Sequence, residues 1–253
     1  MITISIVNRR GGGGKTATAH AIGAGLARRG YKTLFIDLDS QCNLTFDTGV
    51  QKAPLTSMEV LTGTATAQEA IQHLESWDII PASPSLAVAD TTLTGTGKEY
   101  RLKEALQDLG GIYDYCIIDT PPALGVLTVN ALTASNKAII PAQAEIHSLQ
   151  GIGLLYEAIQ AVQKYTNPAL KVEGILITRY RGRAILSKDM RESLENTAQQ
   201  LHTKVFTTPI RECIAVAEAQ AMQRDIYSYS PRSNATEDYT ALLEEILAPE
   251  KER

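Results

Sequence analysis

The chain has 253 residues, 44% of them hydrophobic and 21% charged, and carries a net charge of −4. That length suits one well-cored domain, read here as 1–253, and the composition excludes a disordered chain. The acidic balance excludes a surface coated in positive potential, so any nucleic-acid binding must come from a local patch.

In chain order the first element is an apolar, β-branched run at 2–7, which predicts a strand, and the stretch 16–29 predicts a helix. Between them stand Asn8, Arg9 and Arg10, then Gly11, Gly12, Gly13 and Gly14, then Lys15, Thr16 and Ala17. Four glycines between a strand and a helix can turn their amides around an anion, because no Cβ obstructs the approach. The helix start adds its positive dipole end. In such a cradle Lys15 reaches the β- and γ-phosphates of a nucleotide, and the Thr16 hydroxyl reaches Mg²⁺. The ordinary pattern G-x-x-x-x-G-K-S/T is not met, since Arg9 occupies the place of its first glycine. A flexible linker is the alternative, and the tight flanking elements argue against it. The Arg9-Arg10 pair does not read as a twin-arginine export signal, because glycines rather than an apolar segment follow it.

A second strand at 33–36 runs into Asp37, Leu38, Asp39, Ser40, Gln41, Cys42 and Asn43. Alternation puts Asp37 and Asp39 on one face at the sheet edge that carries the glycine loop. Carboxylates there can hold magnesium waters or orient an attacking water; strand-end capping is the plainer alternative. After a strand at 77–80 and a helix at 101–109, a strand at 115–118 ends in Asp119, Thr120, Pro121 and Pro122. Asp119 suits the task of holding magnesium through water, and the loop after it can sense a γ-phosphate.

Strands at 137–140 and 172–178 and helices at 149–164, 188–201 and about 234–247 complete the pattern. Leu149, Ile152, Tyr156 and Ile159 form one apolar stripe, and Tyr239, Leu242, Leu243 and Ile246 another, both read as core. Uninterrupted apolar strands alternating with helices predict an α/β fold: a doubly wound, mostly parallel sheet flanked by helices. Ligands of such sheets sit beyond the carboxyl ends of the strands, where the glycine loop lies. Past the last strand come Arg179, Arg181, Arg183 and Lys188, joined by Lys204, Arg224 and Arg232. These could meet DNA phosphates. Asp189 and Glu192 dilute the run, so a solvated helix face is the competing reading.

Together the three motifs resemble the ParA/Soj branch of the deviant Walker A ATPases, which also includes MinD. The family's K-G-G-x-G-K-T-T stands here as Arg10 to Ala17, its D-x-D-P-Q-G-N as Asp37 to Asn43, and its D-T-P-P as Asp119 to Pro122. Its D-P-R-S is matched by Ser230, Pro231, Arg232 and Ser233. The resemblance implies an ATP- and Mg²⁺-dependent hydrolase that forms a sandwich homodimer, binds DNA nonspecifically and is triggered by a ParB-like adaptor. It implies that Lys15 and the loop amides bind phosphates, Thr16 holds Mg²⁺, Asp39 orients the water and Asp119 supports the metal. Arg10 stands where the family's lysine reaches the other subunit's nucleotide; a solvated loop charge is the alternative. Ala17 replaces a threonine near the α-phosphate and Ser40 a proline. Ile210, Arg211 and Glu212 replace the I-P-R segment that usually holds the adenine, and Arg232 matches a DNA-contacting arginine.

A MinD-like membrane switch needs a basic amphipathic tail, whereas an acidic helix leads here into EEILAPEKER. An electron carrier of the nitrogenase-reductase kind needs paired cysteines. Cys42, Cys116 and Cys213 do not fit that pattern, and they read as free thiols of a reducing compartment. No apolar run approaches the roughly 20 residues that span a bilayer. The expectation is a cytoplasmic, nucleoid-associated ATPase without membrane partners. A positioning ATPase with another cargo, or a scaffold that holds nucleotide with little hydrolysis, are the alternatives left open.

Overall fold

The computed structural model of the chain describes residues 1–143, 145–181, 185–200 and 202–251, with the side chains of 146–150, 185–191 and 249–251 excepted. Seven strands, β1 (Ile2–Ile6), β2 (Thr33–Asp37), β3 (Gln72–His73), β4 (Asp78–Ile80), β5 (Tyr115–Asp119), β6 (Lys137–Gln143) and β7 (Lys171–Thr178), form one sheet. Their order is β3-β4-β2-β5-β1-β6-β7, and every neighbouring pair is parallel except β3 and β4. The expected doubly wound, mostly parallel sheet is therefore the fold.

Side-chain alternation along the central strands supplies both faces of the sheet with core. Ile4, Ile6, Phe35, Ile117 and Leu176 pack under the helix Lys15–Ala27 and the C-terminal helix Asn234–Lys251. Leu34, Ile36, Cys116 and Ile118 face the opposite way, toward Leu61 and Leu102 of the helices Ser57–Thr62 and Arg101–Ala105. A third cluster joins Ile140, Ile175 and Ile177 to Ile152, Leu155, Ile159 and Val162 of the helix Ile146–Tyr165. The apolar stripe of that helix thus includes Leu155, while Tyr156 is half-buried; Leu149 lies outside the described side chains. Tyr239, Leu242, Leu243 and Ile246 are all buried, as their spacing predicts.

Two boundaries differ from the sequence reading for physical reasons. Strand β6 runs on to Gln143 through Pro141, which reads as a strand end because it cannot donate to a ladder. Here β1 pairs only with residues 137–139 of β6, so no β1 partner stands opposite Pro141. The expected helix 101–109 is divided into the α-helix Arg101–Ala105 and a 3-10 turn, Gln107–Leu109. Among the described residues no helix is long and apolar enough to cross a membrane.

Candidate functional site

The glycine loop leaves β1 and turns into the helix Lys15–Ala27 with Gly12 at φ 73° and Gly14 at φ 87°. Both lie in the left-handed region that L side chains avoid. Gly14 caps the helix without a side-chain hydrogen bond, so the first-turn amides keep no side-chain partner at the cap. Three residues that the sequence reading did not single out hold the loop in shape. Asn8 accepts from the Arg10 amide at 3.0 Å and donates to the Pro141 carbonyl. Gln143 Nε2 donates to the Gly12 carbonyl at 2.8 Å, and Thr178 Oγ1 to the Gly13 carbonyl at 3.0 Å. With its carbonyls tied outward to β6 and β7, the loop keeps its amides for a ligand.

Register brings the acidic residues to this loop. Asp119 lies beside Ile6 on one side and Asp37 on the other. Its carboxylate is fully buried, and among the described residues neither oxygen has a hydrogen-bond partner. Burial pushes its pKa well above the usual carboxylate range and the Asp37 charge pushes the same way. The Thr16 hydroxyl, near but outside hydrogen-bond geometry, and the Lys15 ammonium pull it back. Lys15 is itself 7% exposed; burial lowers its pKa while Asp119 and Asp39 hold it up. Its Nζ donates to the Arg10 carbonyl at 3.2 Å, inside the curl of the loop. An unpartnered buried carboxylate beside a buried ammonium and a hydroxyl is a donor set short of a cation and an anion together. It fits magnesium, which takes few protein oxygens and completes its shell with phosphate and water.

Asp37 and Asp39 divide the work. Asp37 is fully buried, and its oxygens accept from the Asp39 amide at 3.0 Å and from the Thr45 amide and hydroxyl at 2.8 Å each. Burial lifts its pKa to about 6 against those hydrogen bonds. Its observed bonds shape the loop that follows β2. Asp39 is 8% exposed, accepts from the Gln41 amide at 3.0 Å and lines the cleft above the glycine loop.

That cleft has a volume of about 970 Å³ and runs from the glycine loop to a wall formed by 210–214. Ala17, Ile210, Arg211 and Glu212 all line it, together with the exposed apolar Phe46 and Ile214. Arg211 is fixed from behind: its guanidinium and amide bond Asp238, and it also reaches Glu237. Glu212 pairs with Arg181.

A protein-family model for an AAA domain matches residues 1–172. The sporulation initiation inhibitor protein Soj of Bacillus subtilis is 38% identical across 97% of this chain and 98% of its own. The chain belongs to the ParA/Soj family of P-loop ATPases. The chromosome partitioning protein ParA of Myxococcus xanthus is 34% identical across 96% of this chain and 87% of that one. Among solved structures, cobyrinic acid a,c-diamide synthase from Mycobacterium smegmatis with a bound ATP analog and magnesium is 34% identical. It has a TM-score of 0.87 and covers 98% of this chain and 94% of that one. An ATP complex of McdA from Cyanothece is 27% identical with a TM-score of 0.87, covering 98% and 96%.

Set beside the ParA/Soj pattern, the departures have visible consequences. Arg10, at the position of the family's leading lysine, forms an ion pair with Glu145 of its own chain. Cys42, where the family pattern carries glycine, adopts φ 55°, and burial and the Asp37 and Asp39 charges push its thiol up to about 11. The basic residues do not share one set of contacts. Arg179 lines the cleft, Arg181 is paired with Glu212, and Lys204 lies over the Phe206 ring. Arg224 donates to the Ser228 carbonyl, and Arg232 is exposed in the turn that follows. Arg183 and the Lys188 side chain lie outside the described residues.

Asp47 is a residue the sequence reading passed over. It ends the helix Asn43–Asp47, is 3% exposed, lines the cleft and accepts from Gln220 Nε2 at 2.7 Å. Burial raises its pKa from 3.8 to about 6, against the Gln220 bond. A carboxyl with a higher pKa in the folded state binds more protons folded than unfolded between those two values. Stability therefore falls as pH rises from 3.8 to about 6, and the loss is complete above that. Asp47→Asn, which keeps a partner for Gln220, is expected to raise stability at pH 8 by about 2 kcal/mol. The gain should shrink below pH 6 and vanish near pH 4; denaturant melts showing equal gains at pH 4 and pH 8 would refute this account.

Proposed function

We propose that the chain is a partition ATPase: it binds Mg-ATP in the glycine-loop cleft, dimerises face to face on ATP, and holds DNA without sequence preference. An adaptor of the ParB kind stimulates hydrolysis and so releases the DNA, which places the working protein on the nucleoid. The observation that carries the nucleotide part is the Asp119 carboxylate, buried without a hydrogen bond beside Lys15 and Thr16 under a glycine loop.

Lys15 neutralises the β- and γ-phosphate oxygens, and the loop amides with the helix dipole do the same from the other side. Thr16 and Asp119 would hold the metal, Thr16 directly and Asp119 through water. Magnesium, when bound, would supply further neutralisation of phosphate charge. Asp39 orients the attacking water from the mouth of the cleft. Since phosphoryl transfer to water asks little covalent chemistry of the protein, placement and charge account for most of the rate. Arg10 would have to leave Glu145 to act on the nucleotide of a second copy, and Arg224 and Arg232 are the DNA contacts this reading favours.

The Arg10–Glu145 ion pair also favours a second reading, a scaffold that holds ATP with little turnover. Sedimentation velocity with ATP or ADP, DNA retention across a salt series, and phosphate release with DNA and the adaptor separate the two. Partition predicts an ATP-dependent dimer, retention that weakens steeply with salt and turnover raised by the pair. A monomer with ATP, with no DNA retention, would end the partition reading.

A further inference from the structure

Strand β5 passes into the helix Val126–Ala134 through the loop 120–125, which starts at the buried carboxylate of Asp119 and lines the cleft at Pro122. Both ends of that loop are tied. At its start the fully buried Thr120 donates its hydroxyl to the Ile6 carbonyl at 2.8 Å. At its end the Val126 amide donates to Asp90 Oδ1 at 2.7 Å, and Thr128 Oγ1 donates to the Ala123 carbonyl at 2.6 Å. Between the ties stand Pro121 and Pro122, each with φ fixed by its ring.

Asp90 reaches this helix from another element, the short helix Ala89–Thr92, 36 residues earlier in the chain. The residue at the helix's own cap is Gly125, which has no side chain to accept an amide. Its φ is −95°, so glycine is not there for a left-handed turn. A Cβ on Gly125 would fall 2.5 Å from Asp90 Oδ2: the glycine makes room for the carboxylate. That carboxylate also meets the positive end of the helix dipole. One turn further on, the fully buried Asn130 donates to the Lys98 carbonyl at 2.8 Å and accepts from the Leu102 amide at 3.0 Å. The segment 90–102 thus holds the first two turns of the helix. Asp90 is itself exposed and adds nothing to the core, so its bond acts on the end of the loop.

We propose that Asp90 is a positioning residue for ATP hydrolysis: by holding the first amide of the helix Val126–Ala134 it fixes the loop 120–125 along the cleft for the hydrolytic step, without touching nucleotide. The inference rests on the reading of the cleft as an ATP site and adds to it a residue that does not line it. A loop tied at Thr120 and at Val126 has one course past the cleft. With the second tie cut, the loop keeps its attachment beside Asp119 and loses its fixed end.

The test measures phosphate release at saturating ATP, and ATPγS affinity by calorimetry, for wild type, Asp90→Asn, Asp90→Ala, Gly125→Ala and the Asp90→Ala, Gly125→Ala double variant. Asp90→Ala is expected to lower kcat about fivefold, the size of a lost helix cap felt in full at the transition state, with ATPγS affinity within about twofold. Asp90→Asn should keep most of the rate, because its side-chain oxygen still accepts from the Val126 amide. Gly125→Ala, which pushes the carboxylate away, should reproduce the loss, and the double variant should be no slower than either single one. Wild-type kcat in Asp90→Ala, even with a lowered melting temperature, would overturn the inference. So would affinity that falls in step with rate, an asparagine variant as slow as the alanine one, or losses that multiply in the double variant. If wild type gave no heat with ATPγS, the reading of the cleft itself would fail.

Discussion

Asp39→Ala is expected to lower steady-state phosphate release at least about a hundredfold while leaving Mg-ATP affinity within about threefold. The reasoning is positional. Asp39 lines the cleft mouth and spends one oxygen on the Gln41 amide, whereas the loop is held by its neighbour Asp37 through Thr45. Removing Asp39 should therefore delete the group that orients the water and spare the loop that carries it. Phosphate-release assays at saturating ATP, paired with calorimetry of the same variant, separate the two effects. Loss of both binding and turnover would assign Asp39 to nucleotide holding instead. Turnover at the wild-type rate would remove it from the mechanism.

Lys15→Met should have the largest effect on binding, weakening Mg-ATP by about a hundredfold or more. Lys15 is a buried cation bonded, among the described residues, to the Arg10 carbonyl, with Asp119 and Asp39 as its carboxylate neighbours. Its removal leaves the loop geometry intact, because Asn8, Gln143 and Thr178 hold the loop without it. The variant should therefore keep its circular-dichroism spectrum and lose nucleotide. Retained affinity in a folded Lys15→Met protein would mean that the triphosphate lies elsewhere.

Most of the sheet was legible because its strands are covered on both faces and read as unbroken apolar runs; the two-residue β3 gave no such signal. The helix Val126–Ala134 shows no readable period, since seven of its nine residues are buried and no polar face marks one. The helix Asn43–Asp47 is too short to show a period at all.

Within the site, the glycine loop, Lys15 and Thr16 are written in local spacing, and Asp119 ends a strand whose register follows from the fold. The clamps were not legible for the opposite reason. Gln143 and Thr178 meet the loop across 131 and 165 residues of sequence, and the chain gives no local sign of such a contact. Charge alone says as little about contacts. Arg181 and Arg179 look equivalent in the sequence, yet one is paired with Glu212 and the other lines the cleft.

The central claim is that the glycine loop, Lys15, Thr16 and Asp119 together hold a metal-bound triphosphate. Calorimetric titration of the wild-type protein with ATPγS, in magnesium and again in EDTA, tests it most directly. The account predicts one site per chain, with affinity that drops sharply when the metal is removed. Absence of binding heat in magnesium, or the same affinity in EDTA, would contradict it.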